Sequence, residues 1–255
     1  EAGDGPGAVA AAEGALAIAP TASPLAEQAR FLLAALGGGV LPAGAAPERA
    51  PAGYVRDLFD QFAPRFEAEL VGALDYRTPA LLAALLAEAG VAPARALRVL
   101  DLGCGTGLSG AALAPYARRL EGLDLSPRML AEARRRGIYD ALHEADLLDW
   151  LPAQPPGQYD LVAAADVLNY LGALGPALAA MAAALAPGGL AAFSVEAAAG
   201  APFALGESLR FRHDPDRVVA DAAAAGFSPI ARQAAGLRLE RGKPVAGALF
   251  VFRRG

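Results

Sequence analysis

Cysteine, histidine and charge are all scarce in this 255-residue chain, and each scarcity excludes something. The one cysteine, Cys104, rules out an internal disulfide, and with only His143 and His213 beside it there is no zinc-type ligand spacing. No metal is therefore expected. A net charge of -5 and an isoelectric point near 5.1 remove the basic surface that a polyanion binder needs to release counterions. The one basic run, ARRRG at 133–137, falls where a helix should stop at Gly137, and the helix dipole accounts for it. No nucleic acid is expected as a partner. Long apolar runs are missing as well: the best candidate, ALAAMAAALAPGGLAAF, is broken by Pro187, Gly188 and Gly189, short of the roughly 20 residues of a membrane span. The start, EAGDGPGAVAAAEG, is acidic and lacks the basic region of a secretion signal, so a cytoplasmic location is the expectation. Aromatic residues are few at 7%, and the 55% hydrophobic content is largely alanine, enough to bury a full core.

Two textures divide the chain. In residues 1–48, AVAAAEGALAIAP and SPLAEQARFLLAALGGG carry helical apolar spacing and end at breakers, Pro20 and Gly37, which predicts two short helices. GGGVLPAGAAPERAPAG, 37–53, reads as a linker. From Tyr54 the spacing is helical through YVRDLFDQFAPRFEAELVGAL, with a further helix after Pro79. Beyond Arg95, the apolar runs LRVLDLG, LEGLDL, YDLVAAAD and LAAFSVE alternate with helical stretches, as βαβ units around a parallel sheet do. The last 30 residues break this rhythm: two strand-like runs flank a Gly-Lys-Pro turn, predicting a terminal antiparallel hairpin.

VLDLGCGTGLSG, 99–110, admits two registers. Read from Gly105, G-T-G-L-S-G fits a dinucleotide template; read from Asp101, D-L-G-C-G-T-G is a different loop. A dinucleotide loop should place its first glycine directly after the strand, and Gly103 fits that better than Gly105. An acid at Asp101 suits a ligand ammonium better than a pyrophosphate. Gly103, Gly105 and Gly107 let the backbone turn sharply and approach a ligand. Asp124, about 20 residues on, stands where an acid accepts hydrogen bonds from ribose hydroxyls, in NAD and S-adenosylmethionine sites alike. Ser126 as N-cap, Pro127 in the first turn and Gly137 as stop place Asp124 at a strand end.

From about Tyr54 onward the chain resembles the class I S-adenosylmethionine-dependent methyltransferases, with four motifs in order: VLDLGCGTG, LEGLDLSPRML, HEADLLDW, and YDLVAAADVLNYL with LAPGGLAAFSVE. The resemblance implies an α/β, Rossmann-like, mostly parallel seven-stranded sheet with helices on both faces and a C-terminal antiparallel hairpin, preceded by a short helical segment. ALAIAPTASPLAEQARFLLAAL resembles a tetratricopeptide unit, and the whole is similar to predicted methyltransferases that carry such repeats. The expected domains are thus 1–48, a helical tetratricopeptide-like segment and linker, and 49–255, the methyltransferase domain. Because the chain begins at Glu1, further repeats before it are compatible with this reading, and the helical segment offers a surface for a protein partner.

The implied cofactor is S-adenosylmethionine, leaving as S-adenosylhomocysteine. Its methionine part would lie over Asp101, Gly103, Cys104, Gly105 and Gly107. Asp124 would hold the ribose. Leu125 and Leu147 would sandwich the adenine, Asp146 would meet its amino group, and Met129 and Ala165 are further cofactor-binding candidates. Phe59, Phe62 and Phe66 share one helix face, where related enzymes close a segment over the cofactor, often with a tyrosine. Here Tyr54 is the nearest hydroxyl. Phe62 stands either beside the sulfonium or in plain core packing. Asp166 and Tyr170, near Asn169, are candidates to orient the acceptor or accept its proton, or else a cap and a packed ring. Arg210 and Arg212 form a pair suited to a carboxylate or phosphate, and His213 is a candidate base; a solvated helix start capped by Asp214 is the alternative.

The reading this supports is methyl transfer to an O or N atom of a small-molecule acceptor, acids included, by an in-line displacement driven by proximity and orientation. Two others stand beside it. One is a cofactor-binding module that recruits a partner without turnover. The other is an NAD-dependent oxidoreductase using Gly105, Gly107 and Gly110.

Overall fold

The computed structural model describes residues 5–37, 47–67, 75–240 and 242–255. Helix α1 (Gly5–Ile18) packs on α2 (Pro24–Leu36) through Ala12, Ala29 and Leu33. Ser23 starts α2 by accepting a hydrogen bond from the Ala26 N–H, and Gly37, in the left-handed conformation, ends it. The second helix does not stand apart: Phe31 is buried against Tyr54 and Phe211, ring centroids 5.5 and 6.2 Å away. Most of the expected linker, 38–46, lies outside the described residues. Its last residues are not free connection. Glu48 O accepts from the N–H groups of Gly172 and Ala173, the Ala50 N–H donates to Tyr170 O, and Arg49 bridges Leu171.

Helix α3 (Ala52–Phe62) ends a residue before Ala63, where Pro64 approaches and the chain turns. The rest of the helix expected through 74 lies, from 68 on, outside the described residues. Helix α4 (Thr78–Glu88) carries Pro79 in its first turn, as expected.

Strands β1 (Leu97–Leu102), β2 (Ala117–Asp124), β3 (Ala141–Glu144), β4 (Tyr159–Ala164) and β5 (Leu185–Ala197) pair in parallel in the order β3-β2-β1-β4-β5. Helices α5 (Leu108–Leu113), α6 (Pro127–Arg136), α7 (Leu147–Trp150) and α8 (Gly175–Ala184) connect them. Two short strands, β6 (Phe203–Leu205) and β7 (Phe211–His213), and helix α9 (Pro215–Ala224) follow. The terminal hairpin is β8 (Phe227–Glu240) and β9 (Lys243–Arg254), with β9 antiparallel to β5. The expected mostly parallel α/β sheet with its antiparallel end is thus present. Strands β6 and β7 add to it at the tip of β5; three residues each are too few to show a period in the sequence.

The central strands are buried on both sides, which is why they read as continuous apolar runs. Leu100, Val162 and Ala164 join a core with α8 and α9, while Val99, Leu161 and Ala163 join the opposite core with α4. From β1 the chain builds outward through β2 and β3, and from β4 through β5. The crevice at their carboxyl ends is therefore where a ligand belongs in an open α/β sheet.

Candidate active site

A cavity of about 260 Å³ opens at that point. Its floor is the turn after β1. Gly103, Gly105 and Gly107 have φ of +58°, +54° and +92°, a region that side-chain-bearing residues rarely adopt. A Cβ on Gly103 would lie 2.4 Å from Val167 Cγ2, so the turn after β4 leans on the bare backbone of the turn after β1. Gly110 has a different duty. A Cβ there would meet the Tyr139 hydroxyl at 2.1 Å, so packing within the protein claims the third glycine of the dinucleotide register.

Asp101 and Asp124 end neighbouring strands but face different surroundings. Asp124 lines the cavity, with Oδ2 accepting the Gly105 N–H at 2.8 Å and Oδ1 accepting the Ser126 N–H at 2.8 Å. Burial pushes its carboxyl up to about 6, against the lowering effect of those backbone donors. Asp101 is fully buried and supports the turn from behind, outside the cavity lining. Ser109 and Tyr139 hydroxyls both donate to its Oδ2 at 2.7 Å, while Oδ1 is without a partner among the described residues. Burial pushes its carboxyl up to about 7, opposed by the two hydroxyl bonds.

Beyond β3, Asp146 caps α7 through a 2.9 Å bond from the Leu148 N–H, and its other oxygen is held by Arg49, which also lines the cavity. Leu125 and Leu147 lie at the same end. Phe59, Phe62 and Phe66 form one wall, Phe66 edge-on to both others at 6.1 Å. Phe62 is thus both a cavity wall and a packed ring.

The other end is built of charge. Ala165 leads from β4 into Asp166, a non-glycine residue with φ of +55°. Its N–H donates to Ser194 Oγ at 2.9 Å, Ser194 Oγ lies 3.3 Å from Oδ1, and Arg238 Nη1 donates to Oδ2 at 3.0 Å. Burial raises the Asp166 carboxyl, and Arg238 pulls it back. Tyr170 stands edge-on to Phe59 at 5.6 Å and interacts with Arg210, which also lines the cavity. Arg238 arrives because β8 has a bulge between Gly236 and Leu239, where three residues advance against two on β9.

Of the residues expected at the site, Phe62, Gly103, Cys104, Gly105, Asp124, Leu125, Asp146, Leu147, Ala165, Asp166 and Tyr170 line the cavity together. Tyr54, Asp101, Gly107, Met129 and His213 are not among its lining residues. Tyr54 packs on Phe31, and burial pushes its hydroxyl up to about 12. Met129 is fully buried in α6. Gly107 caps α5. His213 is buried with Nε2 2.9 and 3.1 Å from the carbonyls of Leu171 and Gly172, and burial lowers its pKa. Its ring therefore braces the 171–172 turn. Arg49, Tyr76 and Arg238 line the cavity but went unread in the sequence: Arg49 sits in a stretch whose composition signals a linker, and a bulge cannot be read from strand periodicity.

Residues 99–189 match the sequence profile of the family described as a methyltransferase domain. A human protein, methyltransferase-like protein 27, is 39% identical over 112 residues, 41% of this chain and 45% of its own length. The chain thus spans less than half the length of that curated relative. Among solved structures, an S-adenosylmethionine-dependent methyltransferase from Mesorhizobium loti superposes with a TM-score of 0.53 at 24% identity, covering 69% of this chain and 96% of its own. Magnesium protoporphyrin IX methyltransferase from Synechocystis PCC 6803, with bound S-adenosylmethionine, gives 0.59 at 20% identity, covering 80% and 97%. These likenesses show the fold. Residues 99–189 thus carry a methyltransferase-domain match, in a chain whose fold is shared with methyltransferases, one of them solved with S-adenosylmethionine bound.

The residues present fit that cofactor. The glycine turn is bare toward the cavity, where a Cβ on Gly105 would meet only the Phe66 ring at 3.9 Å. Each Asp124 oxygen, with one backbone donor, keeps a further lone pair for a hydroxyl. Thr106, fully buried at the turn, has a hydroxyl without a partner among the described residues.

Proposed function

We propose that the protein transfers a methyl group from S-adenosylmethionine to an O or N atom of a small-molecule acceptor. The carrying observation is that one cavity joins the glycine turn and Asp124 at one end to Asp166, Tyr170 and Arg210 at the other. Bound there, the cofactor supplies a methyl already activated on a sulfonium.

The protein's remaining task is placement. Asp124 takes the ribose hydroxyls, Asp146 with Leu125 and Leu147 takes the adenine, and the Gly103–Gly105 turn cradles the amino-acid tail. Phe59, Phe62 and Phe66 exclude water beside the reacting centre. Asp166 and Tyr170 orient the acceptor; Asp166 also offers a carboxylate within a ring of fixed donors. Holding the acceptor in line with the sulfonium–methyl bond is where most of the rate comes from. The helices of residues 1–48 serve on this reading as a tetratricopeptide-like segment for a protein partner, attached to a catalytic domain of 49–255 in a cytoplasmic protein.

Calorimetry with S-adenosylmethionine, S-adenosylhomocysteine and NADH tests the cofactor, and labelled-methyl transfer to a panel of small acids and amines tests turnover. Binding of the first two with transfer is expected. Cofactor binding without transfer to any acceptor, alongside tight capture of a macromolecule, would favour the recruiting module instead.

A further inference from the structure

The acceptor end of the cavity contains two guanidinium groups that are satisfied very differently. Arg238 is almost fully buried, its side chain 7% exposed, with Nη1 on Asp166 and Nη2 on Glu196. Its Nη2 also lies 3.9 Å from Glu240 Oε2, a longer contact than the 3.1 Å between Glu240 and Arg210. Arg210 is 26% exposed, with Nη1 3.1 Å from Glu240 and 3.7 Å from Glu196. Glu240 is the loosest of the three carboxylates in this cluster: its side chain is 39% exposed, against 13% for Asp166 and 3% for Glu196.

Glu240 also has somewhere else to go. It lies directly across the hairpin from Lys243, and both line a second hollow with Glu196 and Arg212. Turning from Arg210 to Lys243 keeps its charge compensated and at the surface.

A third group supplies an independent sign of a ligand. Asn169 is 2% exposed and lines the same cavity. Its amide nitrogen is 3.4 Å from Glu196 Oε1, the atom that Arg210 also faces, yet its amide oxygen has no hydrogen-bond partner among the described residues. A buried acceptor left bare costs free energy until a donor arrives.

We propose that the acceptor is a carboxylic acid bearing a hydroxyl or amino donor, that Arg210 binds its carboxylate, and that Glu240 is the counter-ion this carboxylate displaces. Exchange of one carboxylate for another leaves the buried charge of the cluster unchanged, which is what makes an anion admissible beside Glu196 and Asp166. The planar guanidinium suits two-point recognition of the incoming group. Asn169 Oδ1 accepts from the ligand's own O–H or N–H. This inference rests on the methyltransferase reading of the same cavity.

The test is calorimetry on the full chain saturated with S-adenosylhomocysteine, using benzoate, 3-hydroxybenzoate and succinate as probes, with benzamide and benzylamine as uncharged and cationic counterparts. Carboxylates should bind about tenfold or more tighter than either counterpart. Arg210→Gln should weaken carboxylate binding by about tenfold, and Glu240→Gln should strengthen it by a few-fold, by removing the competing charge. S-adenosylhomocysteine affinity should stay the same in both variants, which also shows that they are folded. Preference for the amine or amide, undiminished carboxylate binding in Arg210→Gln, or no carboxylate binding to either wild type or Glu240→Gln would overturn the inference alone. Failure of the wild type to bind S-adenosylhomocysteine would instead overturn the cofactor reading and this inference with it.

Discussion

Arg49 reaches from the segment before α3 to hold the carboxylate of Asp146, the group expected to meet the adenine amino function. The backbone on either side of Arg49 is pinned to the turn after β4, so a single side chain ties the two rims of the cavity together. With Asp146 as the proposed adenine contact, this pair would compete with the nucleoside for one carboxylate oxygen. Arg49→Ala should leave the strap in place through its backbone bonds and cost no more than about 1 kcal/mol of stability, as partly exposed pairs do. Affinity for S-adenosylhomocysteine should rise a few-fold. Weaker binding in that variant would mean that Arg49 is a ligand contact rather than a competitor.

Asp124→Ala removes both the proposed ribose acceptor and the anchor of the Gly105 N–H. A loss of at least about 1.4 kcal/mol, or tenfold, in S-adenosylhomocysteine affinity is expected by calorimetry. Wild-type affinity should itself depend on pH. Burial holds the Asp124 carboxyl at about 6, so below that pH it carries a proton and accepts hydroxyl bonds less well. Affinity should therefore climb from pH 5 to pH 7 and then level off, with the climb missing in Asp124→Asn. A flat wild-type profile would remove Asp124 from the recognition of the cofactor.

Much of this was legible in the sequence because it depends on local rules. Ser126, Pro127 and Gly137 mark both ends of α6, and Asp124 follows by position. The glycine turn was readable for the same reason, since three left-handed backbones in five residues demand glycine. What went unread depends on distant pairing. Asp101 reads as a ligand group, but Tyr139, 38 residues later, draws it into the core. His213 reads as a base next to a helix start, but the carbonyls of Leu171 and Gly172 claim its ring. Arg238 enters the cavity only because one extra residue in β8 changes which face its side chain takes, and strand alternation carries no mark of that slip.

Gly103 and Gly110 separate the two registers of the loop by experiment. Alanine at Gly103 combines a φ of +58° with a Cβ 2.4 Å from Val167 Cγ2. Such a residue must distort the turn or push the 166–170 segment away. A destabilisation of about 2 kcal/mol or more is expected in denaturant unfolding, with cofactor affinity lost beyond it. Gly110→Ala should destabilise as well, through Tyr139, 2.1 Å from the new atom. In the Gly110→Ala protein that remains folded at low temperature, S-adenosylhomocysteine affinity should fall far less than in Gly103→Ala. Equal losses would return Gly110 to the ligand site.

Asp101 makes a prediction about stability rather than binding. An unfolded aspartate releases its proton near 3.8, whereas burial keeps the folded Asp101 protonated to about 7. Between those values the folded state binds more protons than the unfolded one, so this group's contribution to stability falls as pH rises from about 4 to about 7 and is level above. Asp124 acts in the same direction up to about 6, and Asp160, whose carboxyl Arg98 holds low, acts in the opposite direction at lower pH. Asp101→Asn isolates the first contribution, because the amide can still accept from Ser109 and Tyr139 but does not ionise. The difference in Tm between Asp101→Asn and wild type should move by several °C in the variant's favour from pH 5 to pH 8. A difference that stays constant across that range would show Asp101 to be ionised in the folded protein throughout, and its bare oxygen to be compensated by something other than a proton.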